Sequence, residues 1–176
     1  TEFVRERTYV AELALVQLCA GGAVHLVDPL AGLDLAPLVA LLGDAGRTKV
    51  LHAARQDLEV LLPLTGAPPA PVLDTQIAAA LLGLPPQVGY ADLVARELGV
   101  TLAKGQARTD WSRRPLTAAQ LDYAQDDVRY LLPLAERLEE RLAERGRGDW
   151  LREECAALAD PRLYRVDPAQ AWPRLR

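Results

Sequence analysis

The chain lacks the features that define several common classes of protein. It has no methionine and only two cysteines, Cys19 and Cys155, which lie far apart and in no metal-binding spacing. That pattern excludes a disulfide-stapled scaffold and is typical of reduced thiols in a cytoplasmic protein. No apolar run reaches the roughly 18 residues that a membrane helix needs, and no signal-peptide pattern opens the chain.

Excess positive charge is also absent. The net charge is −4 over 176 residues, which argues against a protein that holds nucleic acid by bulk charge alone. An enzyme that binds phosphates locally, through metals and a few arginines, stays possible. Half of the residues are hydrophobic, enough for the core of one domain. The chain opens on Thr1-Glu2-Phe3, in what reads as a strand, so we expect it to be an excerpt of a longer protein.

The pattern along the chain predicts an α/β fold. Residues 11–20 and 23–28 read as extended on either side of Gly21-Gly22, which is a hairpin signal. Helices and strands then alternate, which favours a mixed sheet. The later elements are predicted as helices at 34–43, 55–64, 75–82 and 90–98, and as strands at 49–53 and 72–73.

One long amphipathic helix is predicted over residues 117–145, with a capping box at its start. We expect Pro133 to kink this helix without ending it, because the apolar stripe continues past the proline. Tyr123 and Asp127 lie four residues apart on one face, at the edge of the stripe, whereas Asp126 should face water. A carboxylate at the margin of a core must be paired or must hold a metal.

A two-metal phosphodiester hydrolase needs three or four carboxylates around two divalent ions about 3.5–4 Å apart. Hard oxygen ligands select magnesium or manganese over zinc. A tyrosine one turn from a ligand carboxylate can orient the attacking water through a hydrogen bond. Each candidate taken alone also has a structural interpretation: His52 as a satisfied histidine, Asp74 as a helix cap, and the arginines 108, 113 and 114 as solvated loop charges.

Taken together and in order, the motifs are more specific than any one of them. They are Thr1-Glu2-Phe3, then residues 52–59 (HAARQDLE), then Asp74-Thr75-Gln76, then residues 109–116 (TDWSRRPL), and finally Tyr123 to Asp127. This series resembles the ribonuclease D family of DEDD-type 3′–5′ exonucleases, in the subgroup with a tyrosine in the third motif. The resemblance implies a ribonuclease H-like mixed sheet of about five strands, its early strands antiparallel, flanked by helices.

The resemblance also implies roles for single residues. Glu2, Asp57 and Asp127 match metal-binding carboxylates, and Tyr123 matches the residue that orients the nucleophile. The first-motif aspartate would immediately precede Thr1, so we expect the 176 residues alone to be nearly inactive. Substrate contacts are expected from Phe3, His52, Arg108, Arg113 and Arg114.

The activity that follows from the resemblance is hydrolysis of RNA 3′ ends, tRNA precursors above all, into 5′-mononucleotides with two Mg²⁺ or Mn²⁺ ions. We expect a cytoplasmic monomer without a membrane contact or small-molecule cofactor. Residues 1–150 are predicted to be the exonuclease domain, and 151–176 a linker and the start of an HRDC domain. Two alternatives stay open: a degenerate module that only binds nucleic acid, and a DNA 3′–5′ exonuclease of the same superfamily.

Overall fold

The computed structural model describes residues 1–4, 11–103, 105–106 and 109–164. These parts of the chain form five strands and seven α-helices. The strands are β1 (Glu2–Val4), β2 (Glu12–Ala20), β3 (Ala23–Val27), β4 (Lys49–Leu51) and β5 (Val72–Asp74). The helices are α1 (Ala36–Gly43), α2 (Arg55–Thr65), α3 (Thr75–Leu81), α4 (Tyr90–Leu98), α5 (Ala118–Arg129), α6 (Leu131–Glu144) and α7 (Gly148–Ala157).

The strands form two hydrogen-bonded groups within the described residues. The first is antiparallel, in the order β1-β2-β3, and the second is the parallel pair β4-β5. The predicted hairpin is confirmed, with Val16 opposite Val27 and Ala20 opposite Ala23. Gly21 and Gly22 both have positive φ, at 57° and 80°, as a tight hairpin turn requires. The predicted α/β class with a mixed strand arrangement is therefore confirmed.

Strand β2 lies at the centre of the antiparallel group and is covered on both sides. Leu15 packs in a cluster with Trp111 and Ala124, whereas its neighbour Val16 packs with Leu38 of α1 and other side chains. Successive residues of a strand point to opposite faces, so both faces of β2 are buried. The largest apolar cluster lies elsewhere and joins α3, α4, α6, α7 and β5.

The prediction of a single long helix over residues 117–145 is wrong at one point. The chain forms two helices that meet at Tyr130, whose φ and ψ are −104° and 1°. Pro133 lies in the first turn of α6; a proline removes one backbone donor and its ring clashes with the carbonyl four residues earlier. That carbonyl belongs to Arg129, the last residue of α5, so the proline separates the two helices where a kink was predicted. The capping box of Thr117 and Gln120 is present as predicted.

Packing continues past residue 150, where the sequence predicted a linker. Helix α7 buries Leu151 and Cys155 in the largest cluster, and Tyr164 is also buried. Residues 151–164 therefore belong to the folded domain. The beginning of a further domain, predicted around 167–173, lies outside the described residues and stays a prediction. No helix in the described ranges is long and apolar enough to span a membrane.

Candidate nuclease site

Tyr123 and Asp127 lie one turn apart on α5 and are both half-buried. The Tyr123 phenol and the Asp127 carboxylate lie close enough to shift each other's pKa, as a four-residue helical spacing allows. Asp126, which the sequence predicted to face water, is half-buried and pairs with Arg129 at 3.1 Å. The third motif therefore presents one carboxylate and one phenol on the inner side of α5.

Glu2 reaches the same region from β1. Its Oε1 accepts a hydrogen bond from Nε2 of Gln17 on the paired strand β2, at 3.3 Å. The Gln17 side chain is only 7% exposed, and its own Oε1 has no partner among the described residues. Gln17 was not among the predicted site residues. A lone amide within the apolar run of β2 was the available signal.

Asp57 lies in the first turn of α2. Its Oδ1 accepts a hydrogen bond from the hydroxyl of Thr1 at 2.7 Å. The turn before α2 is held by the buried carboxylate of Asp74, which accepts from the amides of Ala53 at 3.0 Å and Ala54 at 2.8 Å. Ala53 takes the left-handed conformation, with φ 55°, so this carboxylate stabilises an unusual backbone turn. Asp74 also caps α3 through Gln76, as its structural interpretation predicted.

The three acids influence one another across the site. Burial raises the pKa of Glu2 to about 7, and the nearby Asp127 adds to the shift, while the hydrogen bond from Gln17 opposes it. Burial likewise raises the pKa of Asp127 to about 6, and the neighbouring Tyr123 phenol opposes the shift. Burial, followed by the charges of Asp127 and Glu2, raises the pKa of Tyr123 above its ordinary range. The negative charge of the site is therefore poorly compensated by the protein alone.

A cavity of about 610 Å³ opens beside these residues, and its wall includes Thr1, Asp57, Tyr123 and Asp127. Glu2 follows Thr1 in the chain but is not part of the wall. The wall of the cavity also includes residues of β2 and β4. The acids therefore lie at one end of a larger opening.

The donor set fits a hard divalent ion, because carboxylate oxygens are the ligands such ions prefer. The uncompensated charge fits as well, since a buried carboxylate must be paired or bind a metal. The three carboxylates do not form a complete ligand cluster. The described residues contain no group of three or more His, Cys, Asp or Glu side chains arranged to hold a metal ion. Glu2, Asp57 and Asp127 are thus coupled by charge without closing around a common point.

Two predicted substrate contacts have structural roles in the protein. In His52, Nδ1 lies 2.9 Å from the Thr75 hydroxyl and Nε2 lies 3.0 Å from the Val88 carbonyl. Arg114 uses all five of its N–H donors on Asp28 and on the carbonyls of Ala14, Trp111 and Arg113. The polar atoms of both side chains are therefore engaged within the protein in this structure, and the substrate contacts predicted for His52 and Arg114 stay predictions.

The remaining predicted contacts are less constrained. Arg113 is exposed and free to meet solvent or a ligand. Phe3 is half-buried, pairs with Leu13 of β2, and does not line the cavity. Arg108 lies outside the described residues. Trp111 was quoted only as part of a motif, yet it is 2% exposed and packs directly against Tyr123, with ring centroids 6.1 Å apart.

The fold and its relatives define the class of this domain. It is a ribonuclease H-like 3′–5′ exonuclease domain, and a family model described as a 3′–5′ exonuclease matches residues 1–143. The chain belongs to the 3′–5′ exonuclease family that this model describes, and it is similar to curated ribonucleases D. Ribonuclease D of Acidiphilium cryptum is 50% identical over all of this chain. The chain spans about half the length of the curated relatives it matches, 45% in this case.

Solved structures agree with this assignment. The crystal structure of Escherichia coli RNase D, an exoribonuclease involved in structured RNA processing, has a TM-score of 0.89 and 45% sequence identity, covering 98% of this chain and 46% of that one. Brucella melitensis NrnC with bound Mg²⁺ has a TM-score of 0.76 and 34% identity, covering 85% of this chain and 74% of that one.

Proposed function

We propose that the protein containing this domain is a metal-dependent 3′–5′ exoribonuclease that releases 5′-mononucleotides from RNA 3′ ends. The observation that carries the proposal is the convergence of three elements: the Tyr123–Asp127 pair on α5, Glu2 on β1 and Asp57 on α2, coupled by charge at one end of an open cavity. The family assignment and the ribonuclease relatives support the same activity.

Glu2, Asp57 and Asp127 are the residues that would hold two divalent ions, Mg²⁺ or Mn²⁺. Such ions supply hydroxide at neutral pH and stabilise the leaving oxygen. Their binding also relieves the repulsion among the buried acids. An aspartate just before Thr1 in the longer protein would complete the ligand set that the family pattern calls for.

Tyr123 would orient the attacking water. Because burial and the neighbouring acids raise the pKa of its phenol, Tyr123 stays protonated at neutral pH. It therefore acts through hydrogen bonding and not as a general base. One turn of helix places its hydroxyl beside Asp127, so the water it holds would lie next to that carboxylate.

The substrate we propose is the single-stranded 3′ end of RNA, with tRNA precursors as the natural class. Phe3 would stack on or wedge a terminal base, since stacking tolerates any sequence. Arg113, and Arg108 outside the described residues, would meet backbone phosphates. We further propose a cytoplasmic monomer that uses no small-molecule cofactor, with an HRDC domain after the nuclease that supplies most of the RNA-gripping surface.

A DNA 3′–5′ exonuclease is the second candidate, because the matching family model is described as a 3′–5′ exonuclease and not as a ribonuclease. The relatives named ribonuclease D favour RNA. A degenerate module that only binds nucleic acid is less favoured, because Glu2, Asp57, Tyr123 and Asp127 are all present.

The test is digestion of matched RNA and DNA oligonucleotides, with free and blocked 3′ hydroxyls, by the full-length protein in Mg²⁺ and in Mn²⁺. We expect 5′-mononucleotides from RNA with a free 3′ end, and none after a chelator is added. Asp127→Asn is the inactive control. Preference for DNA would replace RNA as the substrate, and binding of RNA without any hydrolysis would support the degenerate module.

A further inference from the structure

Trp111 is buried although it lies in a segment, 109–116, that has no helix or strand. Its indole packs between Ala14 and Leu15 of β2 and Ala124 of α5. On the α5 side it also contacts the ring of Tyr123, with centroids 6.1 Å apart and an angle of 40° between the planes. The indole therefore forms the wall behind the tyrosine.

The segment that carries Trp111 is tied to the protein on both sides of the indole. Before it, the Gln120 side-chain amide donates to the Thr109 hydroxyl at 3.2 Å and to the Asp110 carbonyl at 3.3 Å. After it, Arg114 donates to the Trp111 carbonyl at 2.7 Å and to the Ala14 carbonyl of β2 at 2.8 Å. Gln120 also belongs to the capping box of α5. The indole is thus fixed to the helix that carries Tyr123.

The indole N–H of Trp111 finds no acceptor among the described residues. A buried donor without a partner lowers stability, and a phenylalanine would avoid that loss. Among the described residues, the indole of Trp111 therefore acts through its packing. Departures of this kind from the best local choice are expected near functional sites.

We propose that Trp111 is a positioning residue for hydrolysis, which holds the ring of Tyr123 so that its hydroxyl stays beside Asp127, where it would meet the attacking water. The proposal rests on the proposed function. Trp111 touches neither metal nor RNA in this account and acts only through Tyr123. Fixing a reacting group in place matters because a misplacement of about 1 Å can cost on the order of 100-fold in rate.

The test is a double-mutant cycle in the full-length protein, measured as single-turnover hydrolysis of a short RNA in Mg²⁺. Trp111→Leu should lower the rate constant about 10-fold or more when Tyr123 is present. It should leave the rate unchanged in the Tyr123→Phe background, since the hydroxyl it positions is already gone. RNA affinity, measured without metal, should not change. Trp111→Phe keeps a flat ring and should lower the rate constant less. It replaces Trp111→Leu in the cycle if the leucine variant does not fold.

Leu138→Ala is the control for lost packing, because Leu138 is fully buried in the separate cluster of α6. It should lower the melting temperature without changing the single-turnover rate below that temperature. Equal rate losses from the Trp111 variants in both Tyr123 backgrounds would overturn the proposal while leaving the nuclease intact. Absence of hydrolysis by the wild-type protein would instead overturn the proposed function.

Discussion

Arg114 and Asp28 form a two-bond contact that joins the segment before α5 to the end of β3. The Arg114 Nε donates to Oδ2 of Asp28 at 2.6 Å, and Nη2 donates to Oδ1 at 2.7 Å. The three remaining donors of the guanidinium reach backbone carbonyls. A planar fork with five fixed donors is the group that can satisfy this arrangement.

Replacing this arginine by lysine should destabilise the domain. Arg114→Lys keeps the charge but cannot reproduce the paired bonds, so we expect a loss of about 1–3 kcal/mol in the free energy of unfolding. Urea denaturation measures it. The matched control is Arg113→Lys at the exposed neighbouring position, which should stay within about 0.5 kcal/mol of wild type. Equal effects at the two positions would show that the contact contributes little.

The same contact predicts a pH dependence of stability. The Arg114 hydrogen bond holds the pKa of Asp28 below its ordinary value of 3.8. A carboxyl with a lowered pKa in the folded state contributes stability above its unfolded pKa, and this contribution is lost as the pH falls through its folded pKa. Asp28→Asn should therefore unfold more easily than wild type at pH 7, and the difference should shrink below about pH 4. A difference that stays constant to pH 2 would contradict this origin.

Asp74 should be the acid whose loss most disturbs the fold near the site. It is 4% exposed and accepts hydrogen bonds from the amides of Ala53, Ala54 and Gln76. An asparagine offers one acceptor oxygen where the carboxylate offers two, so Asp74→Asn should cost about 2–4 kcal/mol of unfolding free energy. Asp44→Asn, a change at an exposed cap that accepts from Gly46, should cost much less. Denaturant midpoints of the two variants decide between these outcomes.

The sequence predicts the parts of this fold that depend on neighbours along the chain. The Gly21-Gly22 hairpin and the capping box of α5 are local patterns, and both are present. The break at Tyr130 was missed because the apolar stripe continues across it, while the effect of Pro133 falls on a carbonyl of the preceding turn. The periodicity of apolar residues shows which face of a helix is buried, but it does not show where a backbone hydrogen bond is missing.

In the site, too, local relationships were predicted from the sequence and contacts between distant residues were not. Tyr123 and Asp127 were predicted on one face because four helical residues fix their relation. The contacts of Arg114 with Asp28, 86 residues away, and of His52 with Val88, 36 residues away, could not be read from the local sequence. A loop arginine that binds other groups of the protein and one that binds a substrate phosphate can have the same local sequence. Only the tertiary contacts distinguish them.

Gln17 should support metal binding through Glu2. Its amide is the side-chain donor that the structure gives to the Glu2 carboxylate, and loss of such outer contacts typically weakens metal affinity about 10- to 100-fold. Gln17→Leu should therefore require more Mg²⁺ to reach half of the thermal stabilisation by metal in the full-length protein. His25→Leu, a change elsewhere in the hairpin, is the control and should leave the Mg²⁺ requirement as in wild type. An unchanged requirement in Gln17→Leu would remove Gln17 from the support of the site.

Asp127 should show a conflict between stability and activity. Three partly buried acids repel one another here, and a buried charge without adequate compensation destabilises the folded state. Asp127→Asn removes one of these charges and keeps the shape of the side chain. In a chelator, the full-length variant should therefore melt at a higher temperature than wild type, and Mg²⁺ should raise the melting temperature of wild type only.

The same Asp127→Asn variant should hydrolyse an RNA 3′ end at least about 1,000-fold more slowly, because the metal stabilises the transition state by several kcal/mol. A variant that melts higher yet still trims RNA would separate the repulsion from the chemistry and remove Asp127 from the metal site.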